Sequence, residues 1–440
     1  MKFKAVKGTR DFYPDRMAMR NWLTETWRKV SLRNGFVEFD GPVLEYLDLF
    51  SVKSGDEIAS QLFSFTDRGG RTLAMRPEIT PTLARMVNAR INSLPRPIKW
   101  FSVPRLFRAE NPQKGRLREF FQWNIDIIGS DDVLADAECI FTAVDCLGEM
   151  GLSANDVVVR IGSRPLTVAA LRRAGVNDTA MEAALAALDK RPKVAPDVFA
   201  EIASAAGIPA DSLGGLCVFQ DAEDLSAVTA ALGGGGKEVN EEIGRLESLM
   251  GYLGGMGVGD YCKLDFRIVR GLAYYTGIVY EIFDAAGSLR AVAGGGRYDN
   301  LLNLFGGPEV GATGFGMGDA VLEILLAEKG KLPDVQAGLD CFVIDGGDDL
   351  FGRVLEVVGR LRRGGIAADF SAKRQNVGKQ LKEANRRNAR NAVIVRADTV
   401  SVKNLSTGEQ TDVPVGEFME KPQEYMRGTS EVKQGVENDE

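Results

Sequence analysis

The sequence of 440 residues contains no histidine. This absence excludes Ser-His-Asp and Cys-His nucleophilic schemes, imidazole general bases and imidazole metal ligands. Any chemistry must therefore depend on arginines, carboxylates, backbone dipoles and a metal held by oxygen ligands.

Cysteines are few, and long apolar runs are missing. The five cysteines form no Cys-x-x-Cys pair, so the pattern does not indicate a disulfide framework or a zinc cluster. Without a run of membrane-spanning length or a signal-peptide core near the N-terminus, the sequence predicts a cytoplasmic protein with no membrane partner. The net charge of −7 argues against a general basic coat. A local basic surface could still bind RNA, because the phosphate interaction depends on where the charges lie.

The most informative stretch is a predicted hairpin. An apolar segment over residues 98–107 is followed by a polar turn at residues 111–115 and by a returning strand at residues 120–128. The strand alternates, so that Phe120, Gln122, Asn124 and Asp126 share one face. Four arginines, at positions 105, 108, 116 and 118, surround this face, and guanidinium groups suit phosphate and carboxylate. From this pattern alone, an edge hairpin with solvated arginines remains an alternative.

Glu78 lies at a predicted strand-to-helix switch, where its carboxylate could meet a substrate ammonium; helix capping is the alternative.

Two strands are predicted within residues 264–281, flanking a bend with paired tyrosines. The triple glycine at residues 294–296 allows close backbone approach, or marks only a turn. A glycine-rich strand at residues 311–318 feeds a predicted helix, Asp319–Glu328, which is typical of a nucleotide site.

These motifs together resemble the class II aminoacyl-tRNA synthetases, in the form found in the histidyl-tRNA synthetase family. Residues 107–122 are similar to motif 2, residues 311–318 to motif 3, and residues 7–11 and 42–45 to the opening segment and motif 1. The Arg-Pro-Glu-x-Thr string at residues 76–80 resembles the amino-acid-binding segment. Residues 270–275 and 295–299 resemble two histidine-specific signatures. The resemblance covers nearly the whole chain.

The resemblance implies an α+β fold: an antiparallel-sheet catalytic core with a helical insertion and a C-terminal α/β anticodon-binding domain. The implied boundaries are residues 1–163 and 256–330 for the core, 164–255 for the insertion, 331–337 for a linker, 338–420 for the anticodon-binding domain and 421–440 for a disordered tail. Basic residues make the C-terminal domain a candidate RNA surface, with a solvated helix face as the alternative. They are Arg374, Lys379, Lys382, Arg386, Arg387 and Arg390.

The resemblance also implies residue roles. The catalytic pair would be Arg108 and Arg270. ATP would be bound by Arg108, Glu110, Phe120, Gly316 and Gly318. Histidine would be bound by Glu78, Thr80, Gln122, Asp126, Arg270, Tyr274 and Tyr275. Gln113 and Arg116 would approach the tRNA acceptor end.

The implied activity is ATP-dependent ligation of L-histidine to tRNA(His) by a homodimer. Mg²⁺ would accompany ATP, held largely by phosphate oxygens rather than by the protein alone.

Two positions depart from the family pattern. Ala273 stands where the signature has Asp, and Val321 stands where motif 3 has an arginine for the ATP phosphates. The second departure sustains an alternative hypothesis, a catalytically inactive paralogue that acts as a histidine-sensing subunit of ATP phosphoribosyltransferase. The retained Arg108 and Arg270, and the C-terminal domain that this paralogue typically lacks, favour the ligase.

Overall fold

The computed structural model describes residues 3–51, 62–234, 236–270, 274–335, 338–347, 349–373 and 375–426. The chain divides into two compact units. The first contains Asn21–Pro333 and the segment ending at Asp11, and the second contains Phe12–Arg20 and the chain from Asp334 onward. Within the described ranges, no helix combines the length and apolarity needed to cross a bilayer.

A nine-stranded, mostly antiparallel sheet is the centre of the first unit. Its strand order is β1-β5-β7-β12-β11-β10-β8-β9, with β6 also paired to β7. Only the β1–β5 and β8–β9 pairs are parallel. The strands are β1 (Val37–Glu38), β5 (Ile98–Ser102), β6 (Arg105–Phe107), β7 (Glu119–Ile128), β8 (Val157–Ser163), β9 (Cys262–Leu264), β10 (Ile278–Asp284), β11 (Ala293–Arg297) and β12 (Ala312–Gly318). This architecture confirms the predicted antiparallel core.

The alternation in β7 explains how this strand fits the sheet. Trp123 and Ile125 are fully buried on one face, where the Trp123 ring lies 6.2 Å from Trp27 and its indole N–H donates to Ser31 Oγ at 2.8 Å. The other face carries the polar side chains. The predicted hairpin is confirmed, because β5 and β6 both pair antiparallel with β7.

The first unit also contains a second, smaller sheet with the strand order β2-β4-β3. The small sheet consists of β2 (Leu44–Tyr46), β3 (Ser64–Thr66) and β4 (Thr72–Met75). Outside the insertion, the helices up to residue 333 that lie wholly within the described residues are Pro14–Arg33, Thr80–Asn88, Leu134–Glu149, Leu301–Leu304 and Asp319–Glu328.

The segment at residues 164–255 is helical, with helices at Arg164–Arg173, Met181–Lys190, Pro196–Ala205, Leu213–Gln220, Leu225–Ala231 and Lys237–Gly255. Ser163 caps the first of them by accepting a hydrogen bond from the Leu166 N–H. A 3-10 turn, Arg191–Lys193, interrupts the series and brings Lys193 to the edge of a cavity described below.

Of the two strands predicted to flank the bend at residues 271–277, the second is confirmed by β10, and the first, predicted to run from Leu264 to Arg270, is wrong. β9 ends at Leu264 and β10 begins at Ile278. Asp265 instead closes a turn by accepting a hydrogen bond from the Arg267 N–H at 3.1 Å. Arg270 then takes a left-handed φ of 54°, which a continuous strand cannot accommodate.

The second unit contains a five-stranded mixed sheet of order β14-β13-β15-β16-β17. The strands are β13 (Leu339–Asp345), β14 (Ala368–Phe370), β15 (Ala389–Val395), β16 (Thr399–Asn404) and β17 (Gln410–Pro414). The helices are Phe351–Arg363, Val377–Arg386, Val415–Glu420 and Pro422–Met426. The predicted α/β alternation is therefore present.

The last helix departs from the predicted disordered tail. Pro422 is buried and Tyr425 lies 6.0 Å from the Phe418 ring, so local packing orders Pro422–Met426. Residues 427–440, also predicted to be disordered, lie outside the described residues, as do positions 336 and 337 of the predicted linker.

Candidate active site

The polar face of β7 lines a cavity of about 370 Å³, here called the first cavity. Gln122, Asn124 and Asp126 project into it from alternate positions of the strand. All seven residues predicted to bind histidine line this cavity: Glu78, Thr80, Gln122, Asp126, Arg270, Tyr274 and Tyr275. The structure therefore assembles a set of side chains that are widely separated along the sequence.

Glu78 enters the first cavity from just before a helix. The helix begins at Thr80 and its N-cap is Ile79, which makes no side-chain cap. Glu78 thus precedes the first turn rather than lying in it, so its position does not match the capping alternative.

Asp126 is held by Tyr298, which was not among the predicted site residues. The Tyr298 hydroxyl donates a short hydrogen bond to the Asp126 carboxylate, and both side chains are buried. Burial, followed by the charge of Asp126, raises the pKa of Tyr298 and keeps the hydroxyl protonated. The sequence signal for this residue was the histidine signature at residues 295–299, which contains Tyr298.

Tyr274 and Tyr275 form an aromatic wall of the first cavity. Their ring centroids are 4.7 Å apart, and Tyr274 lies 5.8 Å from Tyr298 in an edge-on arrangement. A wall of rings facing a carboxylate suits a flat, protonatable ligand group, because aromatic faces attract both π systems and cations.

Arg108 lies where the first cavity meets a second. Its Nε donates to the Pro77 carbonyl at 3.1 Å and its guanidinium lies 5.1 Å from the Phe120 ring centroid. Burial lowers the pKa of Arg108, with the charge of Glu78 acting in the opposite direction. A desolvated guanidinium of this kind gains from an anionic ligand.

Arg270 lies at the same junction and is held in position by its surroundings. Its Nη1 donates to Glu281 Oε1 at 3.0 Å, and its guanidinium lies 5.5 Å from the Tyr275 ring. Its left-handed backbone is uncommon for a residue with a side chain, which is typical of functional positions. Burial raises the pKa of Glu281, and the charge of Arg270 opposes that effect.

The second cavity has a volume of about 600 Å³ and is strongly basic. It shares with the first cavity Arg108, Gln122, Arg270, Gly294 and Gly316. Five cationic side chains line it, against the single carboxylate of Glu281: Arg108, Arg116, Lys193, Arg270 and Arg290. Such an excess of positive charge suits a polyanion. Lys193 and Arg290 were not predicted, because no local motif marks them.

Four of the residues predicted for ATP line the second cavity, namely Arg108, Phe120, Gly316 and Gly318. Glu110 lines the first cavity instead and forms an ion pair with Arg116. Val321 contributes an apolar wall to the second cavity, where the family pattern has a cation. Ala273, the other departure, lies outside the described residues.

The two residues predicted to approach the tRNA acceptor end lie in the hairpin turn. Gln113 and Arg116 exchange backbone hydrogen bonds of 2.9 Å each, and Gly115 between them has a φ of 73°. Gln113 is exposed, whereas Arg116 is half-buried and lines the second cavity. They are therefore neighbours that face different surroundings.

This combination of an antiparallel sheet, a motif 2 hairpin, and a glycine-rich strand leading into a helix defines a class II aminoacyl-tRNA synthetase catalytic domain. A family model described as "Histidyl-tRNA synthetase" matches residues 8–319, and one described as "Anticodon binding domain" matches residues 340–425. The chain belongs to the histidyl-tRNA synthetase family.

Full-length relatives agree with this assignment. The chain is 40% identical to a histidine–tRNA ligase from Opitutus terrae, over 94% of this chain and 96% of the relative. It is 39% identical to a chloroplastic/mitochondrial histidine–tRNA ligase from Arabidopsis thaliana, over 94% of this chain and 85% of the relative. A solved histidyl-tRNA synthetase from Nostoc sp. PCC 7120 shares the fold, with a TM-score of 0.80 at 23% identity, covering 96% of this chain and all of that one.

Proposed function

We propose that this protein is a histidine–tRNA ligase. An oxygen of the histidine carboxylate attacks the α-phosphorus of ATP, the bond from that phosphorus to the bridging oxygen breaks, and pyrophosphate leaves with the electron pair. The terminal ribose hydroxyl of tRNA(His) then attacks the carbonyl of histidyl-adenylate, and AMP leaves. The substrate supplies its own nucleophile, so a protein without histidine can perform this reaction by positioning groups and stabilising charge.

One observation carries the proposal: an amino-acid-sized cavity and a basic cavity meet at Arg108 and Arg270. The junction is where a carboxylate from one ligand and a phosphate from the other would come together. Two guanidinium groups there can stabilise the negative charge that develops on the α-phosphate.

The first cavity suits histidine. Glu78 and Gln122 offer a carboxylate and an amide to the ammonium group, while Asp126 and Tyr275 meet the imidazole. Thr80 and Tyr274 complete the lining. The pKa of Tyr298 is raised, so its hydroxyl stays protonated and donates a hydrogen bond to Asp126. The Asp126 carboxylate can then also accept a hydrogen bond from a ring N–H.

The second cavity suits ATP. Arg108 covers one face of Phe120, and adenine would stack on the opposite face. Gly316 and Gly318 lack side chains, which lets the nucleotide approach the backbone of β12. Glu110 would act from the first cavity, through its ion pair with Arg116.

Mg²⁺ would accompany ATP. Among the residues that the structure describes, no three acidic or sulfur side chains are grouped as a metal site. The donor set fits an ion bound mainly through phosphate oxygens, with Glu110 and Glu281 as the nearby carboxylates. When bound, the ion would neutralise part of the triphosphate charge.

We also propose that the protein is a cytoplasmic homodimer. Apolar side chains exposed on short strands near motif 1 support a partner surface, including Val37 at 61%, Tyr46 at 55% and Phe65 at 46%. Light scattering during size-exclusion chromatography tests the dimer, and a monomer mass at micromolar concentration would refute it.

For tRNA, Gln113 and Arg116 would approach the acceptor end, and the second unit would bind the anticodon arm. The family match over residues 340–425 supports the second assignment. It also weighs against the inactive regulatory paralogue, which typically lacks an anticodon-binding domain.

Histidine-dependent exchange of labelled pyrophosphate into ATP tests adenylation, and charging of a tRNA(His) transcript tests transfer. Arg270→Ala is the loss-of-function control. We expect exchange that requires histidine and collapses in this variant. Histidine binding without exchange in the unmodified protein would instead identify a histidine-sensing subunit.

A further inference from the structure

We propose that Arg290 binds the β- and γ-phosphates of ATP and holds the departing pyrophosphate. This inference rests on the proposed function and adds a residue to which no role has been given above. Arg290 belongs to the loop between β10 and β11 and lines only the second cavity.

The charge distribution of the second cavity points to this residue. Arg116 pairs with Glu110, Lys193 with Asp189 and Arg270 with Glu281. Within the described ranges, no carboxylate pairs with Arg290, so its guanidinium has all its donors available for a ligand.

The facing wall of the cavity cannot supply the charge. Ala320 and Val321 are apolar, and Val321 is only 9% exposed. Asp319, at the start of that helix, is neutralised by Arg10 at 2.5 Å. A triphosphate in this cavity therefore has to find its cations elsewhere in the lining, which offers Arg108, Arg116, Lys193, Arg270 and Arg290.

Position distinguishes the β- and γ-phosphates from the α-phosphate. Arg108 and Arg270 line both cavities and so mark the reacting centre, whereas Arg290 is absent from the first cavity. A cation confined to the second cavity contacts the part of the nucleotide away from the amino acid. Once the bond to the α-phosphorus breaks, that part is the pyrophosphate.

Hydrogen bonds to Asp284 hold the loop that carries Arg290. The Asp284 carboxylate accepts hydrogen bonds from the backbone N–H groups of Ser288 and Leu289, at 3.0 and 2.9 Å. Burial lowers the pKa of Arg116, and the positive charges of Arg290 and Arg108 lower it further. The three cations are therefore close enough to repel one another. Arg290 is thus held near its neighbours despite their repulsion, and a polyanion would relieve that repulsion.

The test compares Arg290→Ala and Arg290→Lys with Arg90→Ala, an exposed arginine that lines neither cavity. Calorimetry measures binding of inorganic tripolyphosphate, and exchange kinetics give KM for ATP and for histidine. We expect Arg290→Ala to weaken tripolyphosphate binding and raise the ATP KM by about ten- to a hundredfold, as for a lost charge-assisted hydrogen bond. The histidine KM should not change, and Arg290→Lys should keep part of the affinity.

The inference would be overturned if Arg290→Ala had the same tripolyphosphate affinity and the same ATP KM as Arg90→Ala. It would also be overturned if Arg290→Ala changed only the histidine KM. A melting temperature for each variant shows that the fold is retained, which the exposed loop position favours. If the unmodified protein shows no histidine-dependent exchange, the proposed function fails. The tripolyphosphate comparison still decides the role of Arg290 in that case.

Discussion

The guanidinium of Arg270 occupies the space into which any side chain at Gly294 would project. A Cβ built on Gly294 would lie 1.5 Å from Arg270 Nη1. The glycine in the middle of β11 therefore leaves room for the guanidinium of Arg270, and the strand itself remains paired on both sides.

Gly294→Ala should separate activity from stability. The methyl group would displace the end of a flexible side chain rather than backbone, so the melting temperature should change little, while the exchange rate should fall about a hundredfold through misplacement of Arg270. Exchange kinetics and thermal unfolding on one preparation check this. Gly148→Ala is the control, because a Cβ there would meet nothing within 4 Å and Gly148 lines neither cavity. Normal exchange in Gly294→Ala would contradict the finding.

Glu281→Gln should reduce the exchange rate and change its pH dependence. The ionised carboxylate of Glu281 accepts a hydrogen bond from Arg270 and so holds it in place. Burial raises the pKa of Glu281. On acidification, Glu281 therefore becomes protonated at a higher pH than an exposed glutamate would. We expect the unmodified protein to lose activity as the pH falls through this raised pKa. In Glu281→Gln the rate near neutrality should be lower, and this acid limb should be missing. An identical acid limb in the variant would assign it to another group.

Tyr298→Phe should weaken histidine binding by about tenfold, the cost of removing one hydrogen bond from a buried carboxylate. Calorimetric titration with histidine gives the affinity directly. The control is Tyr280→Phe, since the buried Tyr280 hydroxyl has no hydrogen-bond partner among the described residues. Equal affinities in the two variants would show that Tyr298 does not act through Asp126.

Replacing Lys379, Lys382 and Arg386 together by alanine should raise the KM for tRNA without affecting pyrophosphate exchange. These residues are exposed on one helix of the second unit, Val377–Arg386. By contrast, Arg387 pairs with Asp369 and Arg390 with Asp340, so they offer less free charge. The salt dependence of tRNA binding should become shallower, because fewer phosphate contacts release counterions.

Lys421→Ala is the control for this triple variant, because Lys421 is paired with Glu424 in the same unit. Unchanged tRNA affinity and salt dependence in the triple variant would leave this helix as a merely solvated face.

The sequence was most informative where a local period decides the structure. The alternation in β7 predicted which side chains share the polar face, and the glycine-rich segment before Asp319 predicted β12 and the helix that follows it. Local rules failed between Asp265 and Arg270, where alternating residues looked like a strand. There the turn at Asp265 and the left-handed Arg270 override strand propensity.

Site residues that reach the cavity through contacts between segments distant in sequence could not be predicted from local sequence patterns. Arg290 reaches the second cavity only because β10 pairs with β11 in a fixed register, and Lys193 reaches it from the helical segment. Neither carries a motif, and no pattern along the chain connects them with Arg108. Lys193 and Arg290 contribute to the basic cavity only because folding brings their charges close to those of the other cations, and a sequence pattern does not show such proximity.

The wall shared by the two cavities has a consequence for inhibition. Because Arg108, Gln122, Arg270, Gly294 and Gly316 line both cavities, no protein layer separates the two cavities at this point. A single non-hydrolysable compound that joins a histidine-like head to a nucleoside through a short linker can fill both spaces at once. Its second half binds at the high effective concentration set by the linker, so its affinity should far exceed that of either half alone.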